Sequence, residues 1–166
     1  MEILLQKLKT DFPKLNFEVG KGFYWSPQSK SVIYQQESSA KNRSWTLLHE
    51  VAHAQLKHSS YKTDVELLTM EVAAWEEATK LAAKYKLSIS NDHIQNCLDS
   101  YRNWLHVRST CPTCESRSLQ YDTSHYQCFN CHTIWKVSAA RFCRPYRRVK
   151  IQKETSPEAM PRVMFL

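Results

Sequence analysis

Apolar residues recur at helical spacing along three long stretches of the chain. These stretches cover residues 39–58, 63–85 and 92–107, and none of them contains proline or glycine. Apolar positions three or four residues apart place one face of a helix against a core. The pattern therefore predicts three helices, preceded by a short amphipathic helix over residues 1–9.

Shorter apolar segments predict two small β regions. Residues 22–36 hold two such segments on either side of a stretch rich in turn-forming residues, which predicts a hairpin. Beyond residue 109, short segments predict a small sheet at 119–121, 126–127 and 134–137. The chain is therefore expected to be α+β, with a mainly helical domain over residues 1–107, a small β domain over 108–138 and a tail over 139–166.

The first long helix carries the sequence His49-Glu50-Val51-Ala52-His53. Residues four apart lie on the same side of a helix, so both imidazoles can bind one metal ion, and Glu50 can take a proton from water at that ion. Most other positions of this helix are apolar, which predicts burial, and buried polar side chains need partners. The alternative is a core helix whose histidines are satisfied by hydrogen bonds.

A catalytic zinc site has three protein ligands and one position open to water. The next helix offers four glutamates, and only Glu71 is centred on its apolar face; Glu66, Glu76 and Glu77 lie on the opposite face. A carboxylate on an apolar face needs compensation, which a metal ion supplies. We therefore expect Glu71 to be the third ligand.

Residues 48–54, followed by Glu71-Val72-Ala73-Ala74-Trp75, resemble the ImmA/IrrE-like and related minimal gluzincin peptidases. The resemblance covers roughly residues 15–86 and implies a small zincin-type domain whose hairpin lines the cleft and can pair with substrate. Trp75 departs from the family pattern, which usually has Asp or Asn there, so support for the ligands must come from elsewhere. The resemblance implies the catalytic zinc ligands His49, His53 and Glu71 and the general base Glu50.

The sequence does not decide the roles of three further side chains near the motif. On a helical wheel His58 projects away from His49 and His53, which favours a position at the surface or behind the ligands. The residue that stabilises the oxyanion is undecided among Tyr61, His58 and His93.

Four of the six cysteines form two Cys-x-x-Cys pairs separated by thirteen residues. Two pairs at this spacing are typical of a zinc ribbon, and so small a domain depends on its metal to fold. We expect a structural zinc in addition to the catalytic one, so two zinc ions per chain. Two cysteines lie outside this pattern: Cys97 is expected in the core face of the third helix, and Cys143 is expected to be a free thiol. The nearby His125 and His132 are not expected to be zinc ligands. The structural ligands are Cys111, Cys114, Cys128 and Cys131.

Positive charge is concentrated at the end of the chain. Of the net charge of +7, six units lie in residues 108–166. Arginines alternate there with Phe142 and Tyr146, which suits phosphate contacts and base stacking, so residues 108–150 are a candidate nucleic-acid-binding region. The alternative is a basic strand packed back on the ribbon.

Composition and motifs together favour an intracellular endopeptidase that acts on a protein substrate, with the ribbon and basic tail recruiting substrate or nucleic acid. Only two glycines are present, which excludes glycine-rich phosphate loops, and no apolar run suits a signal peptide or a membrane span, so we expect a cytoplasmic protein. One alternative is an SprT-like peptidase that clears proteins from DNA, which would need His93 as the third ligand. The other is a non-catalytic zinc-ribbon regulator that binds nucleic acid.

Overall fold

The computed structural model of the chain describes residues 1–36, 42–138 and 147–150. Within these residues the chain is α+β, with four helices and two small sheets. None of the described helices combines the length and the apolar character that a membrane crossing requires. The helices are α1 (Glu2–Asp11), α2 (Arg43–Gln55), α3 (Asp64–Lys84) and α4 (Asn91–Ser109), and the strands are β1 (Asn16–Val19), β2 (Tyr24–Ser26), β3 (Ser31–Tyr34), β4 (Leu119–Gln120), β5 (His125–Gln127), β6 (Ile134–Val137) and β7 (Arg147–Val149).

The first sheet has the strand order β1-β3-β2. Strands β2 and β3 form the predicted antiparallel hairpin, and β1 pairs with β3 in parallel. Strand β1 was not predicted, and it has only four residues. Gly20, directly after β1, passes so close to β3 that a Cβ atom there would lie 2.4 Å from Ile33 Cγ2.

The main core lies between this sheet and the helices. Strand β3 is buried along its whole length, and α2 and α3 pack against each other through the apolar faces that their sequences predict. Helix α2 ends at Gln55, three residues before the predicted end, because Lys57 adopts a positive φ of 56°. Residues 39–41 of the predicted helix lie outside the described residues.

The second sheet has the order β4-β5-β6-β7 and a small core of its own. Three of its strands were predicted, and β7, which pairs with β6, agrees with the alternative of a basic strand packed back on the ribbon. Its buried residues are Cys111, Tyr126, Cys128, Trp135 and Val137.

A buried polar network joins the helices to the second sheet. The Arg108 guanidinium forms a two-point ion pair with Asp64, at 2.5 and 3.1 Å, and both residues are only 2% exposed. The Tyr126 hydroxyl donates to the same carboxylate, and the Trp135 indole N–H donates to the Arg108 carbonyl at 2.9 Å. Because α3, α4, β5 and β6 all contribute, the sheet is fixed against the helices.

Candidate metal centres

Helices α2 and α3 bring His49, His53 and Glu71 together. His49 Nε2 lies 3.2 Å from Glu71 Oε2 and 3.1 Å from His53 Nε2, and His53 Nε2 lies 3.7 Å from Glu71 Oε1. One ligand atom from each residue lies within 4.8 Å of the other two, and all three residues are buried or nearly so. This helical cluster (His49, His53 and Glu71) could hold one metal ion.

The environment keeps Glu71 in the charged form that binds metal. Burial alone would raise the pKa of its carboxyl, but hydrogen bonds and charge from His49 and His53 outweigh burial and lower the pKa to about 2. One carboxylate and two imidazoles give a mixed oxygen and nitrogen donor set, which is common at zinc.

Glu50 lies beside the helical cluster without belonging to it. The backbone N–H of Trp25 donates to Glu50 Oε2 at 2.9 Å, which ties the carboxylate to β2. Burial raises the pKa of Glu50, although the neighbouring His49 and His53 oppose the shift. A carboxylate with a raised pKa is a stronger proton acceptor near neutral pH.

His58 contacts the back of His53, with their Nδ1 atoms 2.8 Å apart. The helical wheel was therefore wrong about the direction of His58, because α2 ends before it and the chain turns back at Lys57. The carbonyl of His58 also accepts a hydrogen bond from the Trp25 indole at 2.8 Å. His58 thus lies behind His53, a candidate ligand. A position behind the ligands was one of the two that the sequence favoured for His58.

Trp75 contacts His49 on one side and His93 on the other. Its ring stacks on His49 with centroids 4.1 Å apart, and His93 meets it edge-on at 5.5 Å. His93 hydrogen-bonds Asn42 and Cys97 and is not part of the helical cluster. Aromatic stacking therefore supports His49 where the family pattern has a hydrogen-bonding residue.

A cavity of about 420 Å³ opens onto the helical cluster. The candidate ligands, Glu50, His58 and Tyr61 line it, whereas His93 does not. Met70 and Tyr101 also line the cavity, and neither was predicted as part of the site. A larger cavity of about 690 Å³ between α1 and α2 contains neither of the candidate metal clusters.

The second sheet carries a cluster of four cysteines. The Sγ atoms of Cys111 and Cys131 lie 3.6 Å apart, those of Cys114 and Cys128 lie 3.5 Å apart, and all four fall within 4.8 Å of one another. This ribbon cluster (Cys111, Cys114, Cys128 and Cys131) could hold a metal ion with all four tetrahedral positions filled.

The thiols of the ribbon cluster differ in acidity. Burial raises the pKa of Cys111 to about 11, whereas hydrogen bonds from Ser116 lower the pKa of Cys114 to about 5. His125 lies outside the cluster and binds Asp122, and His132 is exposed. Cys143, Phe142 and Tyr146 lie outside the described residues.

No family model matches the chain, and neither a curated protein nor a solved structure is significantly similar to it. Membership of the ImmA/IrrE-like peptidases therefore stays a prediction that rests on the motif residues.

Proposed function

We propose that this chain is a zinc-dependent endopeptidase. The observation that carries the proposal is the convergence of His49, His53, Glu71 and Glu50 on one open cavity. Three ligands leave a fourth position for water, and the donor set suits zinc. A zinc ion bound there would supply Lewis acidity to water and to the scissile carbonyl.

The residues of the chain then have distinct tasks. Glu50 accepts the proton of the attacking water on its carboxylate and can pass it to the leaving amine. The Trp25 N–H orients Glu50, and Trp75 and His58 fix the rings of His49 and His53. These contacts hold the reacting groups in place before substrate arrives.

An extended polypeptide suits the cavity because β2, one of the two edge strands of its sheet, lines it with Tyr24 and Trp25. The Trp25 N–H donates to Glu50 rather than to β3, so the edge of β2 that has no partner strand faces the helical cluster, with this N–H already occupied by Glu50. A substrate strand can pair with such an edge through main-chain hydrogen bonds. This supports a protein substrate. The SprT-like alternative loses support because Glu71, and not His93, meets the two histidines.

The proposal is tested by comparing protein termini in cells that express the wild type, Glu50→Gln or Glu76→Gln. Glu76 is exposed on the opposite face of α3 and serves as the matched control. New termini should appear with the wild type and with Glu76→Gln. Loss of a general base costs about 10²–10⁴-fold in rate, so Glu50→Gln should produce almost none. Equal termini from Glu50→Gln and the wild type would contradict the proposal. No new termini from a metal-loaded wild type would favour a non-catalytic regulator.

We also propose that the ribbon recruits nucleic acid through the outward face of its sheet. Lys136 and Arg148 are exposed partners in the register of β6 and β7, and exposed Lys150 follows them. None of these three cations has an ion-pair partner among the described residues. Arg147 does not belong to this face, because its guanidinium donates to the Thr110 carbonyl at 2.8 Å.

A further inference from the structure

We infer that the cavity beside the helical cluster binds a large apolar side chain of the substrate, so that cleavage occurs next to aromatic or long aliphatic residues. The inference rests on the proposed peptidase function and deepens it by naming the substrate class. The relevant wall consists of Phe23, Leu67, Met70 and Tyr101.

The position of the wall on α3 places the pocket next to the reacting centre. Leu67 lies four residues before Glu71, and Met70 directly precedes it. Residues three or four apart are neighbours on a helix surface, about 5–6 Å apart at Cβ. A side chain against Leu67 and Met70 therefore belongs to a residue adjoining the scissile bond.

Two apolar side chains of this wall, those of Leu67 and Met70, do not pack in the main core. Leu67 and Met70 are half-buried, and neither belongs to the core cluster, whereas their neighbours Leu68 and Val72 on the same helix do. Their apolar surface faces the cavity instead. An apolar substrate group that covers it gains free energy in proportion to the area removed from water.

The charge of the cavity also selects against acidic side chains. Among the described residues that line it there is no lysine, arginine or aspartate, and its two glutamates, Glu50 and Glu71, have tasks in the proposed reaction. An acidic side chain that enters such a pocket loses water and faces two carboxylates, with no lysine or arginine in the lining to pair with it. The volume of about 420 Å³ is ample for one aromatic side chain with its flanking backbone.

The test uses two succinyl hydroxamates that differ at one position beside the chelating group. One compound carries a benzyl group there, and the other carries a hydrogen atom. Binding to the zinc-loaded full chain is measured by calorimetry. One extra methylene in an apolar pocket changes binding by about 10–200-fold, so the benzyl compound should bind at least about 10-fold more tightly. In Met70→Lys this preference should disappear while binding of the hydrogen compound persists. Val65→Lys, at an exposed site on the same helix, should keep the preference.

The outcomes distinguish a failure of the apolar pocket from a failure of the peptidase proposal. Equal affinity of the wild type for both compounds, or a preference that Met70→Lys leaves intact, would overturn the apolar pocket alone. Failure of both compounds to bind a protein with zinc in the helical cluster would overturn the peptidase proposal and the pocket with it.

Discussion

The helical cluster and the ribbon cluster are two candidate metal sites with different donor atoms and opposite structural settings. The ligands of the helical cluster project from two helices packed in a core of fifteen buried residues, and they face an open cavity. The ribbon cluster sits in a core of five buried residues, of which Cys111 and Cys128 are themselves candidate ligands. We therefore expect the fold to position the metal site in the first case, and the metal to be required for the fold in the second.

The largest expected effect is the loss of the ribbon when its metal is removed. Structural zinc contributes about 10–16 kcal/mol in small zinc domains, far more than a core of five residues can replace. In Cys114→Ser, backbone amides of β5 and β6 should exchange with solvent at unfolded rates, while those of α2 and α3 stay protected. Cys97→Ser is the matched control, because Cys97 belongs to neither cluster. Retained protection of β5 and β6 in Cys114→Ser would remove the distinction between the two regions.

The ion pair that joins the two regions should give the next largest effect. Asp64→Asn leaves the buried Arg108 guanidinium without its counter-charge, and breaking such a pair costs about 3–5 kcal/mol. Urea unfolding of the zinc-loaded protein should show this loss. Asp99→Asn, which removes the exposed pair with Arg102, should change stability much less. Equal losses in both variants would mean that the regions are not coupled through Asp64.

The pH dependence of the metal-free helical cluster should follow the pKa of Glu71. That pKa lies below its ordinary value of 4.5, at about 2. The stability it provides is therefore fully present above about pH 4.5 and is lost as the pH falls toward 2. Between these limits the wild type should lose up to about 3 kcal/mol more than Glu71→Gln, and Glu76→Gln should follow the wild type. Parallel stability curves for the wild type and Glu71→Gln would contradict the assignment.

The smallest expected effect concerns nucleic-acid binding by the ribbon. Each phosphate contact on single strands contributes about 0.7 to the slope of log affinity against log salt concentration. Replacing Lys136 and Arg148 by alanine should therefore lower the slope by up to about 1.4, as measured with a labelled single-stranded oligonucleotide. Lys80→Ala, which removes a cation already paired with Glu77, should leave it unchanged. Absence of binding at low salt, or an unchanged slope in the double variant, would remove this role.

Local periodicity predicted most of the helices and strands because it reports directly on which face is buried. The same reasoning singled out Glu71 as the one carboxylate on an apolar face, and the structure brings it to His49 and His53. Metal binding by these residues stays a prediction.

Features that depend on distant parts of the chain could not be predicted. The pairing of β1 with β3, and the network of Asp64, Arg108 and Tyr126, join residues far apart in the sequence. The direction of the His58 side chain was predicted wrongly for a local reason. The helical wheel assumed that α2 continues through His58, but the positive φ of Lys57 ends the helix before it.

Counting metal ions per chain by native mass spectrometry tests most directly whether there are two sites with separate ligands. The account predicts two zinc ions in the wild type and in Glu76→Gln, and one in Cys114→Ser and in Glu71→Gln. Hydrogen exchange on the same samples should show an intact ribbon in Glu71→Gln and an unfolded one in Cys114→Ser. A wild type with a single zinc ion, or a Glu71→Gln variant that keeps both, would contradict the account.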